Sequence, residues 1–178
     1  MSETLAGSVW IFGDNINTDL MLPGNVRHAS EEVQARHVFA ANRPGWVDEM
    51  RRGDFIVAGN NFGTGSSRPA ARSLRNAGIA CLLAESINGL FFGNAVNYGL
   101  LAVECPGIVA SFAEGQTAEF SLTAFTVRNR ETGVVHQALP IPGKLLDIMI
   151  GGGLFPIMEA RGLIAPEPAK LASKAPRD

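Results

Sequence analysis

The chain has 178 residues, a length that suits one compact domain with room for a hydrophobic core. Its 15 basic and 17 acidic residues give a formal net charge of −2, so it has no basic footprint for binding nucleic acid or an anionic membrane. No apolar run reaches the length of a membrane span, and the N-terminus lacks the basic region and apolar core of a signal peptide. We therefore expect a cytoplasmic protein with no membrane and no nucleic-acid partner.

The first third of the chain combines short structured segments with long polar loops. A mixed apolar segment at 5–12 predicts the first strand, and the turn-forming segment 13–19 follows it. Ser30 is placed to cap a helix over 31–39, and a short helix is expected at 46–50. The polar loops before the first helix are longer than simple connectors need to be, and such loops often contact ligands.

The centre of the chain, residues 55–103, predicts the order β-α-β-α-β. Its strands and helices alternate at 55–58, 70–77, 79–84, 87–98 and 100–103. Each helix is followed by a glycine, Gly78 or Gly99, which is a natural helix stop. The strands are short and apolar, as is typical of a sheet that helices cover.

The last third of the chain predicts a hairpin and then two short helices. Strand-like segments at 117–122, 124–127 and 134–139 surround a turn at 128–133. The helix candidates follow near 145–149 and 155–160, and the residues beyond Ile164 resemble a frayed tail.

The two cysteines, Cys81 and Cys105, each lie in an apolar, strand-like stretch. We expect both to be buried small hydrophobic side chains rather than a disulfide or a reactive thiol. Two cysteines without nearby histidines cannot build a four-thiolate zinc or iron–sulfur site. We therefore expect no metal or cofactor in this chain, and a cluster, if the chemistry needs one, must come from another chain.

A glycine-rich turn, residues 59–69 (GNNFGTGSSRP), connects the strand at 55–58 to the helix that follows. Gly63 and Gly65 permit a positive φ and a close approach to a ligand. Ser67 is placed as the helix N-cap, and Pro69 suits the first helical turn. Arg68 adds a forked cation that matches a carboxylate, so the turn is predicted to favour an anion.

Known nucleotide motifs fit this turn poorly. The dinucleotide fingerprint needs a glycine where Arg68 stands, and a Walker loop needs a lysine that the turn lacks. The same residues would also suit a tight, capped strand–helix turn that binds nothing. Local chemistry alone does not separate that possibility from an anion site.

Four stretches, taken in order, resemble the small subunit of 3-isopropylmalate dehydratase, a homologue of the aconitase swivel domain. They are 14–19 (DNINTD), 61–68 (NFGTGSSR), 97–101 (NYGLL) and 152–156 (GGLFP). The double serine with an arginine after a glycine turn is the most specific of them. The resemblance implies an α/β fold, a swivel-type β/β/α domain over 1–165 with a β-α-β-α-β centre and a late hairpin, and a flexible tail at 166–178.

The resemblance also implies a reaction and a partner. The family's large subunit holds a [4Fe–4S] cluster and most of the active site, so a heterodimer or heterotetramer is expected. Such enzymes isomerise or dehydrate a small hydroxy dicarboxylate, here in leucine biosynthesis. The matching positions make Ser67 the catalytic base and Arg68 the ligand of a substrate carboxylate, with Ser66, Thr64 and Gly65 lining the same pocket.

Two features leave the substrate open. Relatives usually follow the arginine with glutamate and histidine, whereas this chain has Pro69 and Ala70. In the family the loop corresponding to 23–28 contributes to substrate choice, so Arg27 is a candidate for a second carboxylate, with a solvated surface arginine as the alternative. His28 and His37 are expected at the surface or in caps, and His136 is expected to be structural.

Two other functions therefore remain open. One is the small subunit of a related hydratase for citramalate, dimethylmalate or homoaconitate. The other is a non-catalytic anion-binding assembly module that kept the turn.

Overall fold

The structure is a computed structural model, and it describes residues 4–65 and 68–165. The strands are β1 (Thr4–Phe12), β2 (Phe55–Ala58), β3 (Cys81–Ala84), β4 (Ala102–Glu104), β5 (Thr117–Ser121), β6 (Thr126–Asn129) and β7 (Val135–Gln137). The α-helices are α1 (Thr18–Met21), α2 (Glu31–Arg36), α3 (Trp46–Glu49), α4 (Ala70–Ala77), α5 (Gly89–Tyr98), α6 (Gly143–Ile150) and α7 (Leu154–Ala160). Short 3₁₀ helices lie at Gly24–Val26 and Val109–Ser111.

The seven strands form one sheet in the order β4-β3-β2-β1-β5-β6-β7. Strands β1 to β4 are parallel, whereas β5, β6 and β7 pair antiparallel, beginning against β1. Strand β1 serves both halves, because its residues 4–8 pair with β5 and its residues 9–12 pair with β2. The predicted β-α-β-α-β centre and late hairpin are confirmed.

The centre of the sheet is buried because helices cover it. Every residue of β2 and β3 is buried, as expected for strands with a neighbour on both sides and helices above. Helices α4 and α5 connect these parallel strands, and each ends at a glycine in the left-handed region, Gly78 (φ 117°) or Gly99 (φ 71°). No helix in the described part of the chain is long and apolar enough to cross a bilayer.

Two of the stretches that carry the family resemblance, 97–101 and 152–156, contact each other where α5 packs against the turn between α6 and α7. A Cβ on Gly99 would lie 2.3 Å from the carbonyl carbon of Gly152, and one on Gly153 would lie 2.4 Å from the oxygen of Asn97. Main chain therefore contacts main chain at this point, and only glycine leaves the room for it.

Helix α2 is shorter than predicted. Ser30 caps it as expected, its hydroxyl accepting from Val33 N, but the helix ends at Arg36 rather than Phe39. Phe39 takes a positive φ of 59°, and its N–H donates to the carbonyl of Met21 at 2.7 Å. Its ring is fully buried and stacks on Phe12 at 4.2 Å between centroids. Tertiary packing of this aromatic residue therefore overrides the local helix pattern.

The predicted cap of α4 is wrong. The helix begins at Ala70, and the N-cap position belongs to Pro69 rather than Ser67. Pro69 offers no side-chain hydrogen bond, although its carbonyl accepts from Ser73 N at 3.0 Å. Pro69 therefore provides no side chain that satisfies the first N–H groups of α4.

The cysteines and histidines lie as the sequence predicted. Cys81 and Cys105 are buried and unpaired. Burial raises the pKa of the Cys81 thiol far above its usual range, and burial followed by the nearby Glu85 raises that of Cys105 to about 11. His28 is exposed, and His37 forms the C-cap of α2. His136 lies in β7, where its Nε2 contacts the Ser111 hydroxyl. The tail at 166–178 lies outside the described residues.

An ion pair between Arg43 and Glu114 packs against β1. Glu114 receives two hydrogen bonds from Arg43, at 2.5 and 3.0 Å, and its Oε2 also accepts from the N–H of Ile11 at 3.1 Å. The guanidinium lies over the rings of Trp10 and Phe12, at 5.0 and 5.4 Å from their centroids. The hydrogen bond from Arg43 is the main reason that the pKa of the Glu114 carboxyl lies below its usual range.

The ion pair between Arg43 and Glu114 should make a pH-dependent contribution to the stability of the folded chain. Because the Glu114 pKa is lower in the folded chain, its stabilisation is present above the ordinary value of 4.5 and is lost as the pH falls through the folded value. Glu114→Gln should lower Tm at pH 7 by about 1–3 °C, since the pair is partly exposed. The difference from wild type should shrink in thermal melts below about pH 4.

Glu32→Gln is the matched control for this experiment, because Glu32 also pairs with an arginine, at 2.5 Å, but both side chains are highly exposed. Its effect on Tm should be negligible at either pH. A Tm difference for Glu114→Gln that stays constant down to pH 3 would contradict the assignment.

Candidate active site

The candidate site lies where the neighbouring parallel strands β1 and β2 end. The loops that leave them, 13–17 and 59–65, stay paired through main-chain hydrogen bonds beyond the sheet. Asn15 N donates to Asn60 O at 2.8 Å, Gly63 N to Ile16 O at 2.7 Å, and Thr18 N to Thr64 O at 2.8 Å. The carboxyl ends of parallel strands are where open α/β sheets bind ligands.

The glycine turn adopts the backbone that the sequence predicted. Gly63 and Gly65 have φ values of 86° and 75°. A Cβ on Gly63 would lie 2.2 Å from Cγ of Phe91, so the turn is pressed directly against helix α5. The ring of Phe91 in turn packs edge-on against Phe62, with centroids 5.3 Å apart. The turn therefore packs on a buried pair of aromatic rings, Phe62 and Phe91.

The guanidinium of Arg68 is hydrogen-bonded through Nε, whereas its Nη1 is unpaired in the described part of the chain. It is only 16% exposed, and its Nε donates to Oδ1 of Asp19 at 2.7 Å. Its Nη1 is buried and has no hydrogen-bond partner among the described residues. Gly24 lies alongside, since a Cβ there would be 3.4 Å from that nitrogen. A buried cationic donor without an acceptor is costly, and a carboxylate oxygen would satisfy it.

The structure describes four of the predicted site residues, three on the glycine turn and one after the 3₁₀ helix Gly24–Val26. Thr64, Gly65 and Arg68 lie on the same turn, beside the loop that follows β1. Arg27 follows the 3₁₀ helix Gly24–Val26 with an exposed side chain, and no ion pair joins it to any described residue. Ser66 and Ser67 lie outside the described residues, so their predicted roles stay predictions.

Sequence reasoning gave no role to Asp19, Thr18 or Gly24. Asp19 fixes the guanidinium of Arg68, and Thr18 is a buried threonine, 2% exposed, whose Oγ1 has no partner among residues 4–65 and 68–165. Thr18 and Asp19 belong to the stretch 14–19 on which the resemblance partly rests, which is the signal that could have identified them. Gly24 carries no such signal, because only the fold places it against the guanidinium.

An iron–sulfur cluster does not fit the described part of this chain. Across these residues no group of three or more histidine, cysteine, aspartate or glutamate side chains could hold a metal ion. Cys81 and Cys105 are buried in the core with raised pKa values, so they are neutral thiols rather than thiolate ligands at pH 7.

Comparison with known proteins agrees with this geometry. Residues 11–107, which include the strand ends and both loops of the site, match the family model of the aconitase C-terminal domain. The chain belongs to the aconitase C-terminal domain family. Within this family its relatives are small subunits of hydro-lyases, so the resemblance seen in the sequence is confirmed.

Curated relatives align over nearly their whole length. The chain is 40% identical to 3-isopropylmalate dehydratase small subunit 1 of Methanopyrus kandleri, over 91% of this chain and 96% of that protein. It is 37% identical to the isopropylmalate/citramalate isomerase small subunit of Methanocaldococcus jannaschii, over 90% and 97%. It is 38% identical to the methanogen homoaconitase small subunit of Methanothermobacter thermautotrophicus, over 86% and 90%.

A solved structure shares the fold. The crystal structure of a 3-isopropylmalate dehydratase from Methanocaldococcus jannaschii matches with a TM-score of 0.83 and 27% sequence identity, over 97% of this chain and 99% of that one. Together these matches confirm the predicted α/β swivel-type fold. They also establish the chain as a hydro-lyase small subunit of the 3-isopropylmalate dehydratase type.

The packing of the turn predicts a strong effect of one methyl group. Gly63→Ala should lower the free energy of unfolding by about 2–4 kcal/mol, because the new Cβ meets Phe91 while φ is positive. Urea denaturation would measure the change. Gly13→Ala is the control, since a Cβ there meets nothing within 4 Å and should change stability by less than about 0.5 kcal/mol. Equal stabilities of the two variants would contradict the close packing of the turn on α5.

Proposed function

We propose that this hydro-lyase small subunit works with an iron–sulfur large subunit to isomerise or dehydrate a small hydroxy dicarboxylate. The observation that supports this most directly is Arg68, whose guanidinium is largely buried, anchored by Asp19 and left with an unpaired Nη1 in the described structure. A substrate carboxylate is the acceptor that this nitrogen would take.

In this proposal Arg68 binds one substrate carboxylate through the edge of the guanidinium that Asp19 leaves open. The bond from Nε to Asp19 fixes the plane of the group, so its remaining donors are aimed before the substrate arrives. Burial strengthens the interaction, since little water competes for a guanidinium that is 16% exposed.

Ser67 is proposed to remove the carbon-bound proton. The proton passes to the deprotonated serine oxygen, and the electron pair of the broken C–H bond forms the double bond as the neighbouring carbon–oxygen bond breaks. The hydroxide that leaves takes up a proton to become water, and rehydration reverses these steps. A serine hydroxyl needs help to act as a base at neutral pH, and negative charge on it would be stabilised by Arg68 and by the N-terminus of α4. The N-cap residue of that helix, Pro69, has no side-chain hydrogen bond that competes for its first N–H groups.

The other assignments complete the pocket. Ser66, Thr64 and Gly65 would line it, and Arg27 would reach a second carboxylate from the exposed loop after Gly24. The cluster would be held by the large subunit, in a heterodimer or heterotetramer, and no step here passes through it. Unpaired cysteines are typical of reducing compartments, and this favours the cytoplasm. Leucine biosynthesis is the pathway that the relatives' names suggest.

A related hydratase is the second candidate. Named relatives of similar identity include an isopropylmalate/citramalate isomerase and a homoaconitase small subunit. Pro69 and Ala70 replace the usual glutamate and histidine directly after the arginine, so the pocket here lacks an acid and an imidazole. That change favours a substrate other than 2-isopropylmalate, such as citramalate, dimethylmalate or homoaconitate.

The deciding experiment is a turnover assay with and without the large subunit. The chain alone should be inactive toward 2-isopropylmalate, citramalate, dimethylmalate and homoaconitate, whereas the cluster-loaded complex should dehydrate one of the first three or hydrate homoaconitate, which is already unsaturated. Within that complex, Ser67→Ala should lower kcat by about 10²–10⁴ while the two chains still associate. Ser8→Ala, in the middle of β1 and away from the strand end at which the site lies, is the matched control and should leave kcat unchanged.

The contrary outcomes are distinct. Activity of the isolated chain would disprove the two-chain proposal, and wild-type kcat in Ser67→Ala would remove that serine as the base. Failure of the loaded complex to act on any of the four substrates would favour the non-catalytic, anion-binding assembly module.

Arg68→Lys should raise KM by about tenfold, because an ammonium cannot both pair with Asp19 and present a planar fork to a carboxylate. Steady-state kinetics of the complex would measure it. Arg75→Lys is the matched control, since Arg75 is exposed on α4, the helix that follows the turn, and should leave KM unchanged. A wild-type KM in Arg68→Lys would show that the guanidinium does not bind substrate.

A further inference from the structure

An apolar groove lies beside the candidate site. Its volume is about 320 Å³, and apart from Gly89 and Glu104 its lining is apolar, consisting of Ile87, Phe92, Leu139, Pro140, Ile141 and Pro142. The carboxylate of Glu104 is already engaged, since its Oε1 accepts from the N–H of Ile87 at 2.7 Å. The groove therefore presents an apolar surface rather than a set of polar groups that would orient a small polar ligand.

Two leucines at the rim of this groove face water. Leu139 lines the groove and is 49% exposed, and Leu90, directly after Gly89 at the start of α5, is 65% exposed. A single surface leucine is ordinary, but two of them beside an apolar groove form a larger apolar patch, and such patches mark interaction sites. We call these two side chains the Leu90/Leu139 patch.

One wall of the groove, the segment 138–142, has a fixed main chain. Ala138 N donates to Phe125 O and Leu139 N donates to Glu104 O, both at 2.8 Å. The two prolines of the segment restrict its φ angles further. Since the wall is already ordered, a partner that binds here loses little affinity to the ordering of this segment.

The other rim of the groove, residues 86–90, is hydrogen-bonded to the glycine turn of the candidate site. Phe62 N donates to Ser86 O at 3.0 Å, and Asn88 N donates to Phe62 O at 2.8 Å. The groove lies at the carboxyl ends of the parallel strands β3 and β4, and the site with Arg68 lies at the carboxyl ends of β1 and β2. Groove and site therefore adjoin along the same edge of the sheet.

This position identifies the occupant of the groove. Under the proposed function, on which this inference rests, the large subunit holds the cluster and must reach the substrate beside Arg68, so it approaches this edge of the sheet. A chain that covers the site from that side also meets the adjoining groove. We propose that the groove and the Leu90/Leu139 patch form a docking surface for an apolar segment of the large subunit.

The test is the affinity of the purified large subunit for variants of this chain, measured by biolayer interferometry. Leu90→Asp and Leu139→Asp should each raise Kd about tenfold or more, because a carboxylate would lose its water against an apolar partner. Both side chains are exposed, so Tm should change by less than about 2 °C. When the large subunit is titrated with either variant, the concentration that gives half-maximal turnover should rise with Kd. The kcat at saturation should stay within about twofold of wild type, since neither leucine belongs to the site.

Leu163→Asp is the matched control. Leu163 is 66% exposed, almost as Leu90 is, and it precedes Ile164, which lines a separate pocket with Asn76 and Asn97. Those two asparagines lie near the C-terminal ends of α4 and α5, at the edge of the sheet opposite the site. The control should therefore leave Kd within about twofold of wild type.

Hydrogen exchange tests the same surface without a substitution. Addition of the large subunit to the wild-type chain should slow exchange of the amides in 87–91 and 139–141, but not of those in 161–165. Wild-type Kd in both aspartate variants, or unchanged exchange in the two groove segments, would overturn the inference while the proposed function stands. A dimer of this chain in sedimentation that Leu90→Asp converts to a monomer would show that a second copy occupies the groove, and would also overturn it. If the wild-type chain does not bind the large subunit, the proposed function fails and this inference fails with it.

Discussion

The main-chain pairing of β1 with β2, continued past the ends of both strands, determines the geometry of the site. Main-chain hydrogen bonds join the two loops after the sheet stops, and the last of them connects Thr18 to Thr64. Because the two segments are paired, the residues that follow them, Asp19 in one and Arg68 in the other, come within hydrogen-bond distance although 49 positions separate them along the chain. A site built this way depends on the register of two strands rather than on the conformation of a single loop.

The electrostatics of the site follow from that arrangement. Asp19 is 65% exposed and Arg68 is 16% exposed, so the carboxylate lies at the water and the guanidinium beneath it. The ion pair therefore leaves the guanidinium able to attract an anionic ligand. It fixes the plane of the guanidinium, while Nη1 remains unpaired within the described chain. This asymmetry suits a group that must stay oriented before its ligand arrives.

Local sequence signals were strong enough to predict most elements of the fold. Glycines at 78 and 99 stop helices, Ser30 caps one, and short apolar runs become the buried strands β2 and β3. The errors arose where a long-range contact decided the conformation. Phe39 leaves the helix pattern to join an aromatic cluster, and Pro69 takes the cap position expected of Ser67.

The site was only partly predictable for the same reason. The turn with Thr64, Gly65 and Arg68 is contiguous in sequence, so its motif can be recognised from the sequence alone. Asp19 and Gly24 contact Arg68 only in the tertiary structure, so the motif at 14–19 marks Asp19 without showing what it does, and nothing marks Gly24. That Thr18 has a buried hydroxyl with no partner among the described residues is visible only once its burial and neighbours are known.

The double use of β1 has a consequence for how the protein is made. Synthesis produces β1 long before its partner β5, which lies more than 100 positions further along the chain, and residues 4–8 can pair only after residue 121 has left the ribosome. Until then half of the strand keeps a free edge, and such edges promote aggregation. Nascent chains of this subunit should therefore depend on chaperones more than their small size suggests, and a message truncated before the hairpin would leave residues 4–8 of β1 without their partner strand.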